Sequence, residues 1–259
     1  IKIMAYSSIV KPTDYFNTVL YTGNGTTDHA ITGVGFQPDW TWLKKRNNAD
    51  DNILQDVART ATKYVLSNSS AAEATYAEGF KSFDSDGFTL GNANNTNQNT
   101  HTFAAWNWKA GGSASSNGDG SITSTVSANT TAGFSIVSYT GTGSNATVGH
   151  GLGAVPKMII TKGRSFSDDW LTYHESIGNG KYIILNKTNA EASSSLPWNS
   201  TTPTSSVFSI GSSGTTNNSG ETIIAYCFAE VKGHSKIGSY TGNGNADGTF
   251  VHTGFKPAW

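Results

Sequence analysis

Phe16-Asn17-Thr18-Val19-Leu20-Tyr21-Thr22-Gly23-Asn24-Gly25 returns 118 positions later as Phe134-Ser135-Ile136-Val137-Ser138-Tyr139-Thr140-Gly141-Thr142-Gly143. The same spacing carries Gly35 to Gly153, Pro38 to Pro156, Lys44 to Lys162 and Arg46 to Arg164. It also carries Asp51 to Asp169, Lys63-Tyr64 to Lys181-Tyr182 and Asn68 to Asn186. A register held without a gap over residues 21–68 reads as internal duplication, the signature of a repeat architecture. Further on, Phe88-Thr89-Leu90-Gly91 matches Phe208-Ser209-Ile210-Gly211. Thr102-Phe103-Ala104-Ala105-Trp106 is matched to Ile223-Ile224-Ala225-Tyr226-Cys227. Tyr240-Thr241-Gly242-Asn243-Gly244 then opens a third copy, with Gly254-Phe255, Pro257 and Trp259 in the places of Gly35-Phe36, Pro38 and Trp40.

These matches divide the chain into a lead-in (1–15), a first repeat (16–112), a Gly/Ser/Asn-rich linker (113–131), a second repeat (132–233) and the start of a truncated third (234–259). Between the first two copies lies Gly111-Gly112-Ser113-Ala114-Ser115-Ser116-Asn117-Gly118-Asp119-Gly120, a flexible composition. A short strand over residues 121–126 is expected inside the linker. Unequal spacing between copies suggests beads on a string. The truncated third copy and the first residue, Ile1, suggest a piece of a longer repetitive protein.

Within each copy the apolar period is two. Trp40, Trp42 and Lys44 alternate with Thr41, Leu43 and Lys45, and Met158, Ile160 and Lys162 repeat the pattern. Such alternation marks half-buried strands. Residues 182–185, 207–210 and 222–226 are further strand candidates, separated by Gly-Asn-Gly, Asp-Gly and Ser-Gly turns. Only residues 56–64 and 71–77 offer short helices. Seven or eight strands in about 100 residues predict an all-β chain of tandem antiparallel β-sandwich repeats, of jelly-roll or concanavalin-like type. Trp42 and Trp106 face Ile160 and Cys227 in the copy alignment, as buried sites of variable apolar volume do. Trp170 and Trp198 lack aromatic counterparts and read as exposed, copy-specific contacts.

Composition narrows the function. The chain has 259 residues, 17 basic and 18 acidic, with 14% charged residues, 29 glycines and 23 asparagines; Ser and Thr make up about a quarter. The charge balance leaves no electrostatic footprint for nucleic acid. No apolar run reaches membrane-spanning length, and no signal-peptide pattern opens the chain. Cys227 alone permits neither an internal disulfide nor a cysteine-rich metal site.

Tyr21-Thr22-Gly23-Asn24-Gly25, Ile31-Thr32-Gly33-Val34-Gly35-Phe36-Gln37-Pro38-Asp39, residues 82–91 (SFDSDGFTLG) and residues 104–112 (AAWNWKAGG) together resemble a repeat domain of tail-fibre and other virion-surface proteins of marine and freshwater bacteriophages, including those of cyanobacteria. The resemblance covers most of 16–112, extends over 134–233 and takes in the stub from 237. The second copy departs from it at Ala154, Lys157 and the whole Asp84-Ser85-Asp86-Gly87 turn. The resemblance implies a virion-surface, extracellular location, a lectin-like sandwich and oligomerisation. It carries over no ligand and no functional residue.

Candidate chemistry is sparse. Asp84-Ser85-Asp86-Gly87 has the look of a calcium loop, but the six or more oxygens such a loop needs are not at hand, and Asp-Gly also makes ordinary hairpin turns. Asn117-Gly118-Asp119-Gly120 is weaker still. His29, His101, His150, His174, His234 and His252 are scattered without metal-ligand spacing. Asp50, Asp51 and Asp56, or Asp168, Asp169 and Glu175, are the carboxylates from which a glycosidase pair would have to come. Eight N-x-S/T sequons start at Asn24, Asn68, Asn94, Asn129, Asn145, Asn186, Asn199 and Asn217. They would carry glycan in a secreted eukaryotic fibril and none in a phage.

The expectation is a non-enzymatic structural and adhesive virion-surface protein, a tail fibre or capsid appendage, with no catalytic residue, metal ligand or cofactor and with ligand-binding residues unassigned. Its partners would be other virion proteins, copies of itself and host-surface glycans, without nucleic acid or membrane insertion. The alternatives are a spacer or decoration module without ligand, a glycosylated extracellular fibril or adhesin subunit and, last, a glycan depolymerase.

Overall fold

The computed structural model describes residue 7 and residues 9–258. Residues 1–6 and 8 of the lead-in, and the Trp259 expected to match Trp40, lie outside the described residues. The chain is nearly all β, with 37% strand and 6% helix, in several antiparallel sheets packed as a sandwich. The first half supplies β1 (Phe16–Thr22), β2 (His29–Thr32), β3 (Trp40–Lys45), β4 (Asn52–Asp56), β5 (Lys63–Leu66) and β6 (Ala74–Thr75). It continues with β7 (Phe80–Asp84), β8 (Gly87–Leu90), the single turn α1 (Asn94–Asn97) and β9 (Thr102–Trp108). Next come β10 (Ser115–Asn117) and β11 (Ser124–Asn129). The second half runs β12 (Phe134–Thr140), β13 (Ala146–Gly149), β14 (Met158–Gly163), β15 (Leu171–His174), β16 (Lys181–Ile184), β17 (Ala192–Ser193), β18 (Val207–Ile210), α2 (Gly214–Asn217) and β19 (Thr222–Phe228).

The large sheet of the first half has the order β1-β9-β3-β4-β5-β6. That of the second half has the order β12-β19-β14-β15-β16-β17, with β11 and β10 added outside β12. Small sheets β2-β8-β7 and β13-β18 close the outer faces. Three apolar clusters lie between four layers. Ile31, Phe80, Phe88 and Leu90 pack on Leu43, Ile53 and Ala105 in the first half. Val148, Phe208 and Ile210 pack on Val137, Ile159, Leu171 and Ile223 in the second. The third cluster joins the halves: Trp40, Leu54, Val65 and Trp108 meet Phe134, Ile136, Ile160, Trp170, Ile224 and Tyr226. Each large sheet is therefore buried on both faces, alternate side chains serving different cores.

The repeated motif has a common local cause. The Tyr21 hydroxyl donates to Thr96 O at 2.7 Å, and Tyr139 donates to Thr216 O at the same distance. Asn97 accepts from Asn24 N and donates to Gly91 O; Asn217 accepts from Thr142 N and donates to Gly211 O. A Cβ at Gly23 would lie 2.2 Å from Gln98 O, and one at Gly141 would lie 2.3 Å from Asn218 O. Only glycine lets the loop approach the helical turn so closely.

Several expectations are corrected. Residues 113–131 are no free linker: β10 and β11 extend the second large sheet, and Ser127 Oγ accepts from Gly111 N. The expected strand over 121–126 lies at 124–129. No bead-like separation survives the shared central core. Residues 56–64 and 71–77 form the ends of strands and the turns beside them, because Asp56 and Arg59 close a turn onto each other, and Tyr76 N bonds Thr62 O. The match of Trp106 to Cys227 is out by one. Ladder geometry sets Thr102 against Thr22 and Thr222 against Thr140, so Trp106 corresponds to Tyr226 and Asn107 to Cys227. A one-residue slip moves every side chain to the opposite face. Cys227 accordingly sits in the outer cluster while Trp106 packs against the central one.

Trp170 and Trp198 are buried, at 0% and 1% exposure, not surface contacts. Trp198 also has an aromatic counterpart: Leu196 O accepts from Ser213 N as Glu78 O accepts from Ala93 N, which sets Phe80 and Trp198 in equivalent places. Within 234–258 no strand is assigned, and Tyr240 and Phe250 are exposed.

Candidate functional site

The seam between the halves holds most of the unusual chemistry. Trp40 stacks on Tyr226 with ring centroids 4.4 Å apart. The Tyr226 hydroxyl crosses to Asp56 Oδ2 at 2.7 Å, and Arg59 Nε reaches the same oxygen at 2.6 Å. Arg59 Nη2 donates to Leu54 O at 2.9 Å. Burial disfavours the Arg59 charge, but Asp56 beside it more than compensates and raises its pKa. Arg164 of the second half grips Glu73 of the first through Nε at 2.9 Å and Nη2 at 3.2 Å. Burial opposes ionisation of Glu73, yet the Arg164 hydrogen bonds and the Arg59 charge hold its carboxyl below the usual range. Lys162 is fully buried and donates to Ser70 O and Asp168 O. Burial lowers its pKa to about 8 against the pull of Asp168 and Asp169. The Trp170 indole donates across the seam to Leu66 O at 2.9 Å and Ser69 O at 3.2 Å. These contacts fasten the halves in one arrangement, although Trp40 Nε1 and Arg59 Nη1 are buried without a hydrogen bond, the latter 3.6 Å from Glu73.

Where the seam reaches the surface it opens into a groove of about 350 Å3. Trp42, Asn52, Ser67 and Asn68 form one wall; Leu185, Asn186, Lys187 and Thr188 form the other. The half-buried Trp42 indole donates to Asn52 Oδ1 at 3.2 Å. Asn68 and Asn186 are repeat equivalents with the same duty. Asn68 Oδ1 accepts from Asn52 N and its amide donates to Asp51. Asn186 Oδ1 accepts from Trp170 N and its amide donates to Asp169. Lys187 pairs with the other oxygen of Asp169. Burial would raise the Asp169 pKa, but the Lys187 and Asn186 hydrogen bonds lower it. The result is a braced wall of amides, a hydroxyl and an ammonium opposite an indole.

A second hollow, of about 440 Å3, lies at one end of the central core. Phe16, Trp108, Phe134, Met158 and Phe228 line it, together with Phe255 and Pro257 from the C-terminal segment. It is apolar.

Asp84 ends β7, and Asp86 is the second residue of the two-residue turn into β8. Asp86 accepts from Gly33 N at 3.1 Å and Gly35 N at 2.6 Å, which lowers its pKa. Asp84 accepts from Ser82 and Thr89. Asp86 thus ties the loop at 33–35, and Asp84 braces the β7–β8 hairpin. Asn117 and Asp119 bond each other in an exposed turn. Asp50 pairs with Lys45, Asp51 holds Asn68, Asp56 holds Arg59, Asp169 holds Asn186 and Lys187, Glu175 pairs with Lys157, and Asp168 accepts from Thr215. No group of three metal-capable side chains converges among the described residues.

His29 contacts Asn97, His101 contacts Asn47, His150 is buried against Thr204 O, and His174 accepts from Ser176 N. His234 packs edge-on to Tyr15, and the His252 carbonyl accepts from Lys236. Of the sequons, Asn217 is wholly buried and its side chain is engaged on both ends. Sequence reasoning missed the groove, because its two walls are over 100 residues apart. The repeat of Asn68 at Asn186 was the one available signal.

The chain belongs to the family described as Domain of unknown function (DUF7483), which matches residues 11–259. No curated protein and no solved structure matches it. No helix among the described residues is long and apolar enough to cross a membrane.

Proposed function

We propose that this chain is a structural and adhesive element of a virion surface, a tail fibre or capsid appendage, built from tandem lectin-like sandwiches and presenting a glycan-binding groove at their seam. The groove carries the reading. An indole offers a flat apolar face to the C–H side of a sugar ring, and flanking amides, hydroxyls and an ammonium suit its hydroxyl edge; such mixed linings are typical of small-ligand sites. The groove is shallow, so one contact is weak, and a repeated fibre would gain its strength through avidity. The shared strand order and the motif-by-motif pairing support tandem copies of one unit. The polar Ser/Thr/Asn surface and the resemblance to phage repeat domains support the location.

The test is binding of the purified chain to a glycan array and to host envelope polysaccharide. Saturable binding lost in Lys187→Ala/Thr188→Ala, two exposed wall residues, is the expected result. Absence of binding at high concentration overturns the adhesive half. It would favour the second reading, a spacer module, for which the rigid buried seam is the supporting observation.

A further inference from the structure

Among the described residues, the two halves differ at the outer edge of their first strand. In the second half, β11 lies antiparallel along β12 in an unbroken ladder from Thr125 opposite Ser138 to Asn129 opposite Phe134. In the first half, β1 pairs with β9 over seven consecutive residues, and no described strand lies on its other side. Edge strands in stable proteins are blunted by charge, proline or a bulge. Phe16-Asn17-Thr18-Val19-Leu20-Tyr21-Thr22 has none of these. Leu20 is 60% exposed.

The direction of the backbone groups is set by the ladder. Successive residues of an antiparallel strand alternate between facing the partner and facing away. Tyr15 O accepts from Lys109 N, so the odd-numbered residues face β9. Phe16, Thr18, Leu20 and Thr22 then turn their N–H and C=O outward. The Thr18 amide is indeed outside the ladder, where Asn17 Oδ1 accepts it.

We propose that this edge is a homodimer interface, in which β1 pairs antiparallel with β1 of a second copy about a two-fold axis at Val19. That axis sets Thr18 against Leu20 and Phe16 against Thr22, all outward-facing, so each pair exchanges two hydrogen bonds. It sets Val19 against Val19 and Asn17 against Tyr21 as the intervening non-bonded pairs. No charge meets a like charge, and a β-branched pair occupies the centre. The large sheet of the first half then continues into its copy, as the sheet of the second half continues into β11. The Asn17 cap on Thr18 is released when the strand arrives.

Sedimentation equilibrium of the 259-residue chain is the test. A mass of twice 27.3 kDa is expected. Leu20→Pro removes an outward amide at the centre of the new ladder without touching the β9 ladder, and it should weaken dimerisation by tenfold or more. Leu20→Thr, which keeps the amide, should remain dimeric. In Val19→Cys the non-bonded pair brings Cα atoms to about 4.5 Å, within disulfide reach, so oxidation should give a covalent dimer. Buried Cys227, its pKa pushed up to about 12, does not compete. A monomer at every concentration overturns the proposal and leaves the edge to the chain's own residues. A dimer unaffected by Leu20→Pro, in a variant whose melting temperature shows it folded, overturns it as well.

Discussion

Position 52 in the first half and position 170 in the second are repeat equivalents with opposite fates. Asn52 stays at the groove, where it accepts from Trp42, and Trp170 is driven to full burial with its indole bonded to Leu66 and Ser69 of the other half. Likewise Trp106 and Tyr226 occupy one ladder position, but only Tyr226 reaches a buried carboxylate across the seam. The lesson is that the two halves share a strand order, and a handful of residue differences make their facing sheets complementary. The faces that meet are large and aromatic on one side, and carry the phenol and second indole on the other.

The comparison can be broken most strongly at Trp170. Trp170→Ala empties a buried indole site and should cost about 4 kcal/mol in urea unfolding, whereas Asn52→Ala at the equivalent surface position should cost less than about 1 kcal/mol. Equal losses would mean that the seam carries little. Arg59→Ala comes next. It leaves Asp56 buried without its cation and should cost about 3 kcal/mol. A shared central core also predicts one cooperative transition for residues 16–233, and two separated calorimetric peaks would contradict it.

The pH dependence sharpens the same comparison. Lys162 binds its proton less tightly when folded, so between about pH 8 and pH 10.5 the unfolded chain holds more protons. Stability should therefore rise with pH across that window, on the order of 2 kcal/mol, and Lys162→Met should flatten the slope. Glu73 works in the other direction. Its folded pKa is depressed, so its contribution is present above the unfolded carboxylate range and is lost as pH falls through the folded value. Glu73→Gln should remove that acid-side slope; an unchanged acid limb would show that Arg164 does not hold the seam. The smallest effect is at the β7–β8 turn. Asp86→Ala should lower the melting temperature slightly, and neither calcium nor EDTA should move that of the parent chain. A calcium-dependent rise would restore Asp84 and Asp86 as metal ligands.

The strands were readable from local pattern. Trp40–Lys45, Val207–Ile210 and the strand ends near 182–185 and 222–226 lie where period-two alternation and glycine turns put them. The errors share one physical origin. The 106–227 mismatch came from aligning apolar letters in β9 and β19, sheets apolar on both faces, where a one-residue slip leaves the composition unchanged. Trp170 and Trp198 are buried by parts of the chain distant in sequence, and a residue's neighbours in sequence do not report what covers it. The residues around 113–131 look like a linker by composition, yet a free sheet edge recruited them into strands.

By itself, the sequence determined the strand pattern and the 118-residue recurrence of the motif Tyr-Thr-Gly-x-Gly. Those depend on backbone geometry within one unit: alternation, tight turns and a glycine where a carbonyl comes too close. Only the tertiary structure decided that the two large sheets stack face to face, that Asp56, Arg59 and Tyr226 form one buried cluster, and that Asn68 and Asn186 face each other across a groove. Tyr226 and Asp56 are 170 residues apart. Contacts at that separation arise from which faces the halves present to each other, and alternation reveals that a face is buried without revealing against what.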